Sequence, residues 1–272
     1  MSAAGMHRVL VTGAAGAIGR VLRDGLAGRY GVLRLSDRVE LGRLRPGEEH
    51  VRAELGQFDE VVQATRDCDA VVHLGGIPEE AAWEDIHAAN LLGTYHLYEA
   101  ARINGVRRVV FASSNHVVGF YRRTRKVDHR APMRPDTRYG LSKACGEMIA
   151  RFYADKFGLQ SVCLRIGSFR PQPLDARMLS TWISPRDTVQ LVARALEAPG
   201  LHYEVVYGVS GNDRGWWLNP AADRIGFRPE DNAEAFAAEF DRHRPAAGDV
   251  GELFHGGHFC SQEFAGDPGR VD

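Results

Sequence analysis

Short apolar runs alternate with amphipathic stretches along most of this chain. The first run, His7-Arg8-Val9-Leu10-Val11-Thr12, is rich in β-branched residues and reads as a buried strand. Gly13-Ala14-Ala15-Gly16-Ala17-Ile18-Gly19 follows at once, and Ile18, Val21, Leu22 and Leu26 then recur at helical spacing. Val32 to Ser36 forms a second strand ending at Asp37, and His50 to Ala53 a weak third with Glu54 at its end. Phe58, Val61, Val62 and Thr65 suit a helix, and Ala70 to Leu74 is a fourth strand closed by Gly75-Gly76. Trp83 to Asn104 predicts one long helix, Arg108 to Ala112 a fifth strand, and Asp136-Thr137 to Gly158 another helix. A sixth strand lies within Leu159 to Ile166 and runs into Gly167-Ser168. Beyond it come a loop with Pro171 and Pro173, a helix from Pro185 to Ala198 and a late strand at Val205-Val206-Tyr207. Short helical pieces start at Asn219 and include Asn232 to Asp241; from Gly248 the Gly-rich tail has no pattern.

Strands alternating with helices predict an α/β, Rossmann-type, doubly wound parallel sheet. Residues 1–168 are expected to form the dinucleotide-binding domain. Residues 169–272 are too few for a full second domain and are expected to form a small substrate-binding or lid region without independence.

Composition narrows the partners. A formal net charge of -1 over 272 residues offers no broad basic face for nucleic acid or membrane, so any anion site must be local. No apolar run approaches membrane-spanning length, and Met1 to Met6 is small and polar rather than signal-like. The scattered Cys68, Cys145, Cys163 and Cys260 read as reduced thiols of a cytoplasmic protein. His255, His258 and Cys260 match no standard zinc spacing, so no metal is expected. A homo-oligomer is expected, and the paired Trp216-Trp217 is assigned to internal packing.

The chemistry concentrates in three places. Strand, glycine loop and helix in that order form the context for a pyrophosphate at a helix N-terminus, with Gly13, Gly16 and Gly19 allowing its close approach. Asp37, about 20 residues on, stands where an adenosine ribose is gripped, which favours NAD over NADP. Gly75 and Gly76 allow backbone to approach a flat ligand, and Asn90, awkward inside a helix, is a candidate for holding a water or a carbonyl near the site. Ser113-Ser114-Asn115-His116 lies at the carboxyl end of a strand, which in an open parallel sheet faces the ligand crevice. Tyr139 and Lys143 are one helical turn apart; a neighbouring ammonium is expected to lower the phenol's pKa and make it a proton acceptor.

These stretches resemble the extended short-chain dehydrogenase/reductase superfamily, through TGAAGAIG, Ser114, and Tyr139 with Lys143. A narrower resemblance is to the uronate dehydrogenase family, carried by HLGGI at 73–77, FASSNH at 111–116, YGLSK at 139–143, LRIGS at 164–168, RMLSTW at 177–182 and NDRGWW at 212–217. The resemblance implies NAD-dependent oxidation of C1 of cyclic glucuronate or galacturonate to an aldarolactone. It implies Ser114, Tyr139 and Lys143 as the catalytic set, with Asn115, His116, Ser168 and Arg177 on the sugar acid. Gly13, Gly16, Ala17, Ile18, Gly19, Asp37, Glu54, Leu55, Leu74, Gly75, Gly76, Asn90 and Lys143 would line the NAD site, Glu54 standing where the family has aspartate. Pro78 departs from the family's serine and removes a hydroxyl and a backbone N–H. Two rival readings are a nucleotide-sugar epimerase or dehydratase of the same superfamily and a non-catalytic dinucleotide sensor.

Overall fold

The computed structural model describes residues 5–240 and 248–271. In chain order its elements are β1 (Arg8–Thr12), α1 (Ala17–Gly25), β2 (Val32–Asp37), β3 (Glu48–Arg52), α2 (Phe58–Thr65), β4 (Ala70–His73), α3 (Trp83–Ile86), α4 (Gly93–Ile103), β5 (Arg108–Ser114), α5 (Arg138–Phe157), β6 (Gln160–Ile166), β7 (Ser168–Phe169), α6 (Met178–Thr181), β8 (Trp182–Ile183), α7 (Pro185–Glu197), β9 (Tyr203–Gly208), α8 (Pro220–Ile225) and α9 (His258–Ser261). The long helix expected from Trp83 is present as α3 and α4 joined by a π turn, His87–Leu92, which carries Asn90. The third strand starts two residues earlier and ends one residue earlier than its pattern suggested, so Ala53 and Glu54 fall beyond it. Of the helical piece expected over Asn232 to Asp241, Ala233–Phe240 is a 3₁₀ helix and Asp241 lies outside the described residues.

Seven strands form one sheet in the order β3-β2-β1-β4-β5-β6-β9, with all pairs parallel. Chain order reverses between β1 and β4, and a crevice opens there at the carboxyl ends. The strands read as apolar runs because both faces are covered. Alternation sorts them. Val9, Val11, Ala70, Val72, Val110 and Ala112 face one core with Leu22, Leu191 and Ile225; Leu10, Val71, Val109 and Phe111 face the other, with Val61, Leu97 and Tyr153.

Residues beyond 168 contribute to both layers of the molecule. β9 pairs with β6 from Ser161–Tyr203 to Ile166–Gly208, and α7 packs on α1. The other C-terminal pieces lie at the carboxyl ends of the strands: Gly256 N–H donates to Gly119 O, and Phe259 stacks on His116.

The helix α5 is held from both ends and from beneath. Thr137 caps its start, accepting from Gly140 N–H at 3.0 Å, and Glu80 accepts from Tyr139 N–H at 2.9 Å. Below, Glu147 of α5 meets Arg165 of β6 through two hydrogen bonds of 2.9 and 2.8 Å, and Ser113 Oγ donates to the same carboxylate at 2.6 Å. Both charged groups are wholly enclosed, so losing either partner would strand a buried charge.

Candidate active site

The glycine loop is built by contact. Gly13 adopts φ +67°, and a Cβ there would lie 2.9 Å from Gly75 N and Leu74 C, so the loop and the β4 terminus touch backbone to backbone. Gly16 precedes α1 and offers no side chain to its first-turn N–H groups, which leaves that helix end open to an anion. Asp37 accepts from Ala15 N–H at 2.9 Å and Val39 N–H at 3.3 Å, so its carboxylate shapes the glycine loop. Leu55 packs against Gly75 and Gly93. The residues Gly13, Gly16, Ala17, Ile18, Gly19, Asp37, Leu55, Leu74, Gly75 and Gly76 thus gather at one place in the crevice. Glu54 stays exposed, its backbone N–H bonded to Glu60.

One expectation is met and one changes. Asn90 does hold a backbone carbonyl: Nδ2 donates to Ile77 O and to Ser142 Oγ, each at 3.0 Å, while Oδ1 accepts from Ile77 N–H (2.7 Å). It clamps the segment after Gly76 to α5. Tyr139 is pushed up to about 12 by burial, with its hydrogen bond from Ser114 pulling the other way. Lys143 is itself held down to about 8 by burial. The expected lowering of the phenol by its neighbour is not found: desolvation disfavours charge on both groups. Lys143 Nζ stands 5.7 Å from the Tyr139 ring centre and 5.1 Å from that of Phe111.

At the carboxyl end of β5, Ser114 Oγ accepts from His116 N–H at 3.2 Å, turning the chain into a 3₁₀ helix over Asn115–Val118. That turn aims His116 beside Tyr139, with ring centres 5.9 Å apart. Arg177 precedes α6 and reaches back: Nε donates to His255 O (2.8 Å) and Nη1 to Ser168 Oγ (3.3 Å). With the Asn115 amide turned to satisfy both ends, its Oδ1 accepts from Arg177 Nη2 at 2.9 Å and its Nδ2 donates to Ile166 O at 3.1 Å. Each of these partners is neutral. Among the described residues no carboxylate forms an ion pair with Arg177. Burial lowers its pKa, the mark of a guanidinium without full compensation.

Several site residues carried no usable sequence signal. Asp136 accepts from His116 Nδ1 at 2.7 Å, and Phe259 stacks on the same ring at 4.2 Å. Phe259 comes from the patternless tail. Thr12 Oγ1, His73 Nδ1 and Gly75 N–H form a buried network below the glycine loop, and burial holds His73 down to about 3. Pro78 is exposed. His255 stacks on Trp216, Cys260 packs on Gly119 and Asp136, and no cluster among the described residues could hold a metal ion. Trp217 is buried against Tyr207.

Residues 9–198 match the NAD dependent epimerase/dehydratase family. A uronate dehydrogenase of Pseudomonas putida is 45% identical over 262 residues, covering 96% of this chain and 98% of that protein. The crystal structure of a glucuronic acid dehydrogenase from Chromohalobacter salexigens superposes with a TM-score of 0.91 at 43% identity, over 97% of this chain and 99% of that one. A mutant uronate dehydrogenase from Agrobacterium tumefaciens, complexed with NAD, gives a TM-score of 0.90 at 45% identity, over 93% of this chain and 97% of that one.

Proposed function

We propose a specific reaction for this chain from one premise: it belongs to the NAD-dependent epimerase/dehydratase family and, within it, to the uronate dehydrogenases. It is an NAD-dependent oxidoreductase. The reaction is oxidation of C1 of the cyclic form of glucuronate or galacturonate, giving the aldarolactone. The crevice residues fit the cofactor: Gly13, Gly16, Ala17, Ile18 and Gly19 would hold the pyrophosphate, Asp37 the adenosine ribose, and Gly75 and Gly76 the flat ring system. When bound, NAD supplies a hydride acceptor whose positive ring favours a phenolate nearby.

The chain's own groups do the rest. Ser114 hydrogen-bonds the C1 hydroxyl oxygen and holds it against Tyr139. Tyr139 takes the hydroxyl proton as the C1 hydride departs, leaving C1 doubly bonded to oxygen. Lys143 stabilises the phenolate and binds a ribose hydroxyl of the cofactor. Asn115 and Ser168 contact the sugar acid and steady Arg177, which meets the C6 carboxylate. His116 contacts a sugar hydroxyl.

One observation carries this reading: an arginine with only neutral partners sits on the same shelf as a serine, a buried tyrosine and a lysine. Such a guanidinium suits a carboxylate ligand through two parallel hydrogen bonds. The test is a spectrophotometric assay of reduced cofactor with glucuronate, galacturonate, galactose and glucose. Turnover of the two acids with NAD, and little of the neutral sugars, is the expected result; equal rates on acids and neutral sugars would withdraw the assignment.

A further inference from the structure

Asp136 lies just before the cap of α5, and its side chain is completely enclosed. Oδ2 lies 2.7 Å from His116 Nδ1 and faces Cys260 Sγ at 3.8 Å, and Oδ1 receives Thr137 Oγ1–H at 3.0 Å. His116 is the nearest basic side chain to it among the described residues; Arg177 acts on it through space and makes no hydrogen bond or ion pair with it. The surrounding backbone is shaped to this carboxylate. Gly119 and Gly256, joined by the hydrogen bond from Gly256 N–H to Gly119 O (2.9 Å), flank it. A Cβ on either glycine would come within 1.9 or 1.8 Å of Oδ2, so neither position admits a larger residue while the carboxylate stays in place.

A buried carboxylate without a full cation beside it lowers stability, so stability alone does not explain the arrangement. What it produces is a fixed imidazole. Phe259 stacks on one face of His116, with ring centres 4.2 Å apart and planes inclined by 21°. Tyr139 bounds the ring at 5.9 Å and 68°. A carboxylate accepts and cannot donate, so it selects the tautomer with its proton on Nδ1.

We propose that Asp136 is a positioning residue, which fixes His116 with Nδ1–H toward the interior and the Nε2 lone pair toward the bound uronate. This rests on the reading of His116 as a contact of the sugar acid. The consequence is chemical selectivity: Nε2 accepts a hydrogen bond, so the sugar position facing it must carry a hydroxyl donor.

Long-range ¹H–¹⁵N spectra of the imidazoles, recorded without sugar or cofactor, report the tautomer directly; loss of signals in His116→Gln identifies the ring. Wild-type His116 should show the Nδ1–H pattern. In Asp136→Asn the amide can turn its NH₂ toward the ring, moving the proton to Nε2. That variant should lose ~10–100-fold in kcat/KM for the uronate, the usual cost of losing a group that orients a site histidine. Most of the loss should lie in KM, with NAD affinity unchanged. A wild-type ring protonated on Nε2 overturns the proposal and needs no variant. So does an Asp136→Asn protein that melts earlier yet keeps its uronate KM, which is the behaviour of a purely structural residue. A wild type that turns over no uronate would instead withdraw the function, while the spectrum still decides the orientation of the ring.

Discussion

Tyr139 and Lys143 are paired by spacing and opposed by environment. Burial pushes the phenol up to about 12 and the ammonium down to about 8, so the site without ligands favours two neutral groups. The sign of the lysine effect on stability follows. A free lysine titrates at 10.5. Below about 8 the folded chain holds a desolvated ammonium and the penalty is full; it fades as pH rises toward 10.5, where the unfolded chain also releases its proton. Lys143→Met should therefore melt higher than wild type at neutral pH, with the advantage shrinking across that window, while turnover is lost. Melting curves at several pH values check this, and a pH-independent difference would contradict it. Tyr139→Phe should lose ~10²–10⁴-fold in kcat, the worth of a positioned base, with NAD binding retained in a calorimetric titration. Arg177→Ala should cost roughly 30- to 5,000-fold in kcat/KM for galacturonate, from about 2–5 kcal/mol for truncating one partner of a desolvated pair. Activity on galactose should hardly change; an equal loss on both sugars would show that Arg177 serves only to pin His255 and Asn115.

At the scale of elements, the unit of strand, loop and helix does two tasks with one carboxylate. Asp37 closes β2 and also accepts from Ala15 N–H, so the end of β2 and the glycine loop share a support. NAD should be strongly preferred over NADP, since a carboxylate there repels a 2′-phosphate. Asp37→Ala should narrow that preference and also weaken NAD itself, because the loop loses an anchor. Comparing kcat/KM for both cofactors in both proteins checks the pair of effects; a wild type that uses both equally would refute the first. The π turn at His87–Leu92 has a similar double use. It brings Asn90 onto Ile77 and Ser142, coupling the segment after β4 to the helix that carries Tyr139.

Across the whole molecule, the C-terminal segment finishes the site that the sheet begins. His255 O holds Arg177, Phe259 covers His116, and Glu263 pairs with Arg138 beside Tyr139. Ending the chain after Phe254 should raise KM for the uronate by ~10–100-fold, as loss of orienting contacts does elsewhere. NAD affinity should persist, because the glycine loop touches none of this segment. Calorimetric titration with NAD and steady-state kinetics separate the two effects; loss of both affinities would mean that the tail holds the fold itself.

The sequence by itself determined the first six strands of the sheet, because strand burial on two faces and helix amphipathicity are local periodicities that survive in the linear chain; that β9, from the region expected to form a lid, pairs with β6 in the same sheet was decided by the tertiary structure. It also determined where the glycine loop, Asp37, Ser114, Tyr139 and Lys143 lie, since each stands at a fixed offset from a strand end or along one helix. It did not determine the state of those groups. The sign of the Tyr139 shift depends on how completely neighbours exclude water, which spacing does not encode. Nor could it join Asp136 to Gly256, 120 positions apart, or place Phe259 on His116. Those contacts arise where a segment without periodicity is held by backbone hydrogen bonds to Tyr121 and Gly119, and such pairing leaves no trace in composition. The tertiary structure alone decided that the enclosed carboxylate meets an imidazole and that the guanidinium, among the described residues, forms no ion pair with a carboxylate, because charge compensation in a buried site is a property of the packed whole.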